Sequence, residues 1–345
     1  MRERRVGALA VTGPRNVRYL TGFTGTAGAC LVTARAAVFI TDFRYRAQAA
    51  RQVDRAFRYA EHRNFLLGLA AEAKRLRLSG LAFEEEHLTY GACRRLRKTA
   101  KGTRILPVPA LVEGLRLRKG PEEVRLLRRG ARLNGEALAA AVETIRPGVR
   151  EKEVALSLET LMRRLGASGA SFDTIVASGP RSALPHGVAS DRKLRRGDLV
   201  TIDFGAVVGG YHADTTRVFS LGKPSRKGRT VYDIVREAQA AAVEAVAPGV
   251  PCEDVDAAAR AIIAREGYGE AFGHGTGHGV GLDIHEGPRL APGSREPLQA
   301  GMVVTVEPGI YLPGWGGVRI EDMVLVTEKG REVLTRSISK DLAIL

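Results

Sequence analysis

Four carboxylates occupy stretches of sequence that should not hold charge. Asp203 closes the apolar run Leu199-Val-Thr-Ile202, and Asp214 follows Tyr211-His-Ala213. Glu307 ends Met302-Val-Val-Thr-Val306, and Glu321 stands just before Met323-Val-Leu-Val326. Asp is disfavoured within strands, and a buried carboxylate without a partner is costlier still. Reading Val208-Gly209 as a two-residue hairpin loop sets Asp203 directly opposite Asp214, where like charges destabilise the pairing. A hard dication offsets such repulsion, and four carboxylates call for about two divalent ions. The other way to satisfy the acids is an arginine for each, with Arg217 and Arg319 nearest at hand. Paired acids in two similar segments favour metal.

The histidines add to this. Three of the seven, His274, His278 and His285, fall within Gly273-His-Gly-Thr-Gly-His278-Gly-Val-Gly-Leu-Asp-Ile-His285-Glu286. Glycines let backbone approach a ligand closely, and imidazole beside carboxylate suits manganese, cobalt, zinc or iron. His186 lies in Ser182-Ala-Leu-Pro-His186-Gly, between loops rich in glycine and serine. The glycine-rich run lacks the lysine and hydroxyl of a phosphate loop.

The elements that must position these groups repeat. Pro147-Gly148-Val149 recurs as Pro248-Gly249-Val250, and Gly197-Asp-Leu-Val-Thr-Ile-Asp203-Phe-Gly205 recurs as Gly301-Met-Val-Val-Thr-Val-Glu307-Pro-Gly309. Each half reads as helix, helix, strand pair: helices over 121–146 and 151–165 before the first hairpin, and over 230–246 and 253–266 before the second. A pseudo-twofold axis relating the halves is predicted. Upstream, short strands at 29–33, 36–40 and 80–83 alternate with helices at 45–53, 65–78 and 87–98. Pro107 and Pro109 interrupt the chain. The fold class is α/β (α+β), with a small mixed domain over 1–115 and a larger one over 116–345.

The 345 residues, 44% hydrophobic and 26% charged, describe globular material and exclude collagen, disorder and a disulfide miniprotein. No apolar run approaches the ~20 residues of a membrane helix, and Met1–Val6 leads into no signal-like apolar region. Three scattered cysteines fit a reducing, cytoplasmic setting. The net charge of +15 rests mainly on arginine. The densest runs, 94–98 and 125–132, read as solvated helix faces, and nucleic acid is not an expected partner.

With these residues in view, the sequence resembles the proline-specific pita-bread metallopeptidases, Xaa-Pro dipeptidase (prolidase) and aminopeptidase P. The order Asp203, Asp214, His278, Glu307, Glu321 is similar to that family's five-ligand signature. Ile175–Gly187 resembles its histidine loop. Asn16-Val-Arg-Tyr-Leu-Thr-Gly-Phe-Thr-Gly25 and Thr41-Asp-Phe-Arg-Tyr45 resemble its creatinase-like N-terminal domain. The resemblance implies two divalent ions per chain, manganese first, with cobalt or zinc as alternatives. Asp203 would hold one ion, His278 and Glu307 the other, and Asp214 and Glu321 would bridge them. It further implies that a hydroxide bridging the two ions attacks the peptide bond preceding proline, with Glu307 passing on its proton. His186 and His285 would steady the carbonyl oxygen. His274 and Arg319 would orient substrate and carboxylates, and Thr216 would support a bridging carboxylate. A homodimer is implied as well.

Dipeptides are the expected substrate, with longer Xaa-Pro peptides, the aminopeptidase P reaction, as the alternative. A dipeptidase must grip a free carboxylate, which an arginine fork matches, and Arg46 is the candidate. Methionine aminopeptidases generally lack such an N-terminal domain, and creatinase lacks the five ligands. A non-catalytic pita-bread binding protein is the reading of another class; it predicts no bound metal and no peptidase activity.

Overall fold

Short apolar runs alternating with amphipathic helices build a six-stranded sheet from the first third of the chain. The computed structural model describes residues 6–345, so Met1–Arg5, where the absence of a signal sequence was read, lies outside the described residues. The chain divides into two units, Met1–Arg116 and Leu117–Leu345. In the first, β1 (Ala8–Val11), β2 (Gly28–Thr33), β3 (Ala37–Thr41), β4 (Arg58–Glu61), β5 (Gly80–Glu84) and β6 (Arg104–Val108) lie in the order β4-β3-β2-β1-β5-β6. Helices α3 (Phe65–Arg75) and α4 (Tyr90–Thr99) bury Leu69, Ala73 and Leu96 with Ala10, Leu31 and Ile40 on one face. Helices α1 (Pro14–Thr21), α2 (Arg46–Gln52) and α5 (Leu111–Arg116) cover the other, against Leu9, Val11 and Phe39.

The second unit repeats a pattern of two helices and then strands. Helix α6 (Pro121–Val142) opens with proline and two acids, and the Gly120 amide donates to Glu123 Oε2 at 2.8 Å. It ends four residues short of the predicted Arg146. The Thr144 hydroxyl donates to the Ala141 carbonyl at 2.7 Å and so competes with a further helical turn. Helix α7 (Glu151–Arg164) packs on it. Helix α8 (Arg226–Ala245) starts four residues before the predicted Thr230, because Ser225 caps the Gly228 amide at 3.0 Å. It packs on α9 (Cys252–Arg265).

Strands β7 (Gly169–Ala170), β8 (Ile175–Ser178), β9 (Leu199–Phe204), β10 (Ala206–Val208), β11 (Tyr211–His212) and β12 (Thr215–Ser220) follow the first helix pair. The second pair is followed by β13 (Gly277–Gly279), β14 (Glu286–Leu290), β15 (Val303–Val306), β16 (Gly309–Leu312), β17 (Gly316–Arg319), β18 (Asp322–Thr327), β19 (Gly330–Val333) and β20 (Ala343–Ile344). Two sheets carry the centre, β20-β12-β9-β8 and β14-β13-β15-β18-β19. Two small ribbons, β11-β10-β7 and β16-β17, branch from them.

The hairpin register differs from the predicted one. Gly209 and Gly210, at φ 56° and 82°, form the two-residue turn, so Val208 pairs with Tyr211. Consecutive left-handed positions are what a turn matching strand twist requires, and Val208 could not supply one. Asp203 consequently pairs with Thr216, not with Asp214.

Candidate metal centre

Of the four carboxylates, only Asp203 belongs to a strand, β9. Asp214 lies between β11 and β12, Glu307 between β15 and β16, and Glu321 between β17 and β18. The prediction that Glu307 and Glu321 lie inside continuous strands is therefore corrected: each hairpin breaks where its acid emerges. Val306 pairs with Asp322 before the second break and Gly309 with Arg319 after it, so Glu307 and Glu321 occupy facing positions. In the first hairpin Thr216 faces Asp203. Gly205, the counterpart of Gly309, has Asp214 across from it by the registers on either side. The repeat thus relates Asp203 to Glu307, but Thr216 holds the place of Glu321 and Asp214 that of Arg319. The expected equivalence of both acids in each half holds for one.

These carboxylates all line one cavity of about 1240 Å³, Asp203, Asp214 and Glu321 buried and Glu307 half-buried. Asp214, His278 and Glu321 each offer a ligand atom within 4.8 Å of the others. His278 Nδ1 lies 3.0 Å from the Gly279 carbonyl. That bond assigns the proton to Nδ1 and leaves Nε2 facing Glu307 Oε1 at 3.3 Å and Asp214 Oδ2 at 3.7 Å. Among the described residues two buried carboxylate oxygens, Asp203 Oδ1 and Glu321 Oε1, have no hydrogen-bond partner. A buried carboxylate oxygen left so is unusual in a folded protein. With a histidine nitrogen, orphaned oxygens and converging acids, the donor set fits hard or borderline divalent ions.

Electrostatics agree. Burial, then repulsion from Glu321, Asp203 and Glu307, pushes Asp214 well above the usual carboxylate range. Burial with Glu307 and Asp203 does the same to Glu321. Burial also raises Asp203, against the pull of Arg319. Burial would raise Glu307 too, but the hydrogen bond and charge of His278, then Arg319, hold it at about 2. His278 is raised: burial opposes its charge, and Glu307 outweighs burial.

Arg319 organises the surroundings. Its Nη2 donates to Asp203 Oδ2 at 2.6 Å, its Nε to Thr216 Oγ1 at 3.2 Å, and its Nη1 to the Tyr311 hydroxyl at 2.8 Å. Thr216 Oγ1 donates in turn to Glu321 Oε2 at 2.7 Å. Tyr311 lies 2.9 Å from His274 Nε2. His274 Nδ1 lies 2.7 Å from the Gly275 carbonyl, so Nε2 accepts from the tyrosine. The arginine alternative is realised in part: Arg319 meets Asp203, whereas Arg217 turns to Asp322 at 2.8 Å.

His285 packs edge-on against His278, ring centroids 4.3 Å apart, and its pKa is lowered by burial and by His278. His186 is exposed on the cavity wall. Arg46 belongs to the first unit, where it makes a two-pronged ion pair with Glu61 at 2.8 Å. Tyr311 was not foreseen, since nothing in Ile310-Tyr-Leu marks it apart from an ordinary strand residue. Glu151 also escaped notice. Wholly buried at the start of α7, it accepts from the amides and hydroxyls of Ser178 and Ser190 and pairs with Arg181, pinning both ends of the loop that carries His186.

Residues 125–328 match the family model of metallopeptidase family M24, and residues 1–118 match that of the creatinase/prolidase N-terminal domain. An uncharacterised peptidase of Bacillus subtilis is 45% identical, over 99% of this chain and 96% of its own length. A solved Xaa-Pro dipeptidase from Bacillus anthracis is 46% identical with a TM-score of 0.96, covering 100% of this chain and 96% of its own. An X-Pro aminopeptidase structure from Thermotoga maritima is 38% identical with a TM-score of 0.92, covering 99% of each chain.

Proposed function

The chain belongs to metallopeptidase family M24, and from that premise we propose that it hydrolyses the peptide bond preceding proline in Xaa-Pro dipeptides, using a dinuclear metal centre. The observation that carries this reading is the convergence of Asp203, Asp214, His278, Glu307 and Glu321 at one cavity, with buried oxygens that no group among the described residues satisfies. When bound, two divalent ions, manganese by preference and cobalt or zinc otherwise, supply Lewis acidity and lower the pKa of a water toward neutrality.

The protein's own groups do the rest. Asp203 would hold one ion and His278 with Glu307 the other, and Asp214 and Glu321 would serve both. Glu307 takes the proton of the attacking water on a carboxylate oxygen and passes it toward the leaving proline nitrogen. His186 and His285, on the cavity wall, donate to the scissile carbonyl oxygen as charge develops on it. Arg319 fixes the Asp203 carboxylate and Thr216 the Glu321 carboxylate, while Tyr311 fixes His274. We place the reaction in the cytoplasm and the protein in a homodimer. No helix among the described residues is long and apolar enough to cross a membrane.

Release of the first residue from longer Xaa-Pro peptides is the second reading, favoured by the likeness to the Thermotoga aminopeptidase. Hydrolysis of Xaa-Pro and Xaa-Pro-Yaa peptides by metal-stripped protein given manganese, cobalt or zinc separates the two. Faster turnover of the dipeptide supports the first. Preference for the tripeptide supports the second, and inactivity on both with every metal overturns each.

A further inference from the structure

The positive charge of this chain is segregated. Residues 1–116 hold 22 Lys and Arg against 9 Asp and Glu, a net of +13; residues 117–345 hold 31 against 29, a net of +2. A compositional taste for arginine over lysine does not separate one unit from the other. Six of the first unit's cations, Lys74, Arg75, Arg94, Arg95, Arg97 and Lys98, belong to α3 and α4, which carry a single acid, Glu72. In α4, Ala92, Cys93 and Leu96 turn to the sheet. That leaves Tyr90, Arg94 and Arg97 on one outward stripe, at helical spacing, and Arg95 and Lys98 on the next.

Arg95 and Lys98 line a groove of about 600 Å³ together with Arg63, Leu67 and Thr99. Two acids of this unit are already engaged: Glu72 is held by Arg58 and Arg75, and Glu61 by Arg46. Among the described residues, Arg63, Arg94, Arg95, Arg97 and Lys98 make no ion pair, and no acid occurs from 87 to 104. Like charges three and four residues apart weaken a helix, so this face is one that an anionic partner would stabilise.

We propose that the α3–α4 face binds nucleic acid through its phosphate backbone, without reading sequence. Guanidinium forks match phosphate oxygens, and the groove between the helices gives a strand a track. Tyr90, 78% exposed and one turn before Arg94, offers a surface on which a base can stack. An anionic membrane suits the face less well. An interfacial helix needs an apolar side turned outward, and here the apolar side chains of both helices face the core, Leu67 apart. This revises the sequence-based expectation, which weighed the runs of arginine one at a time and not the balance of each unit.

Fluorescence anisotropy with a labelled single-stranded RNA of roughly 20 mixed nucleotides, titrated with the full-length protein at about 50 to 200 mM salt, tests it. Binding should weaken steeply with salt. Replacing Arg94, Arg95 and Lys98 together by serine should lower affinity by at least about tenfold and reduce the salt slope by about 2, near 0.7 for each lost phosphate contact. Peptidase activity should stay at the wild-type level and report a folded protein. Replacing the exposed Lys223, Arg226 and Arg229 of the second unit should change neither quantity. Absence of salt-dependent binding by the wild type, or equal losses in the two triple variants, overturns the proposal. So does binding to phosphatidylserine vesicles in place of RNA.

Discussion

Asp214 and Glu321 carry the sharpest electrostatic conflict in the second unit, and it can be measured. Both carboxyls are raised, by burial first and then by neighbouring acids, and His278 is raised because Glu307 outweighs its burial. In metal-stripped protein the folded state therefore keeps protons that the unfolded chain has released, so the two carboxyls should lower stability as pH rises above the ordinary carboxylate range, and His278 as it rises above the ordinary histidine range. Glu307, held at about 2, contributes stability above the ordinary glutamate range and loses it only in strong acid, outside these ranges. Metal ions displace those protons, so binding should release protons and the fall should flatten once metal is added. Denaturant midpoints at several pH values, with and without manganese, check this; superimposable profiles would remove the metal from this site. Substitutions sort the side chains by role. Asp214→Asn and His278→Ala should lower metal content, and excess metal should partly rescue the second. His285→Ala and His186→Ala should keep metal and lose about 10²–10³-fold in turnover. Metal loss in His285→Ala, or unchanged turnover in both wall variants, would reassign these histidines.

At the level of elements, glycine decides how closely the strands cross. A Cβ on Gly205 would lie 1.8 Å from the Ala213 carbonyl oxygen, and one on Gly277 1.9 Å from that of Thr305. Gly277→Ala should force β13 off β15, displace the neighbouring His278, and cost about 1–3 kcal/mol or more. Thermal unfolding and metal titration of that variant read the two effects, and wild-type values in both would show that the strands can separate freely. Glu151→Gln leaves the shape of the Ser178–Ser190 loop in place but weakens its charged hydrogen bonds. Turnover should fall with metal content unchanged; loss of metal would mean that Glu151 supports the sheet and not the His186 loop. These positions also show what the sequence could disclose. The helix pairs, the recurring glycine–acid segment and the family's ligand order were all legible from residue types. Register was not: two adjacent glycines permit the turn at either of two places, and only the twist of the strands selects Gly209-Gly210. Nor were the strand breaks, since Glu307 and Glu321 read as strand residues until the branching of β16 and β17 is seen. Tyr311 and Glu151 act through contacts with residues distant in sequence, which no local pattern announces.

Across the whole molecule, chemistry and charge are divided between two separately cored units. Ala10, Leu31, Ile40 and Leu69 bury one another in the first, while Val235, Val255, Val304 and Val324 do so in the second. The candidate ligands all belong to the second, and so does every residue lining their cavity. A ligand that binds only the folded form stabilises it by about 2.7 kcal/mol at a hundredfold excess over its dissociation constant. Since exchange-competent opening proceeds in cooperative units, that stabilisation should be local. Manganese added to stripped protein should slow amide exchange in β9, β12, β15 and β18 by about 10²-fold, the same free energy expressed as a rate. Amides of β1, β2 and β5 should exchange as before. Hydrogen exchange resolved by peptide reads both units in one experiment. If β1 to β6 slow as much as β9 to β18, the two cores open as one body, and metal occupancy would then also govern the stability of the basic α3–α4 face.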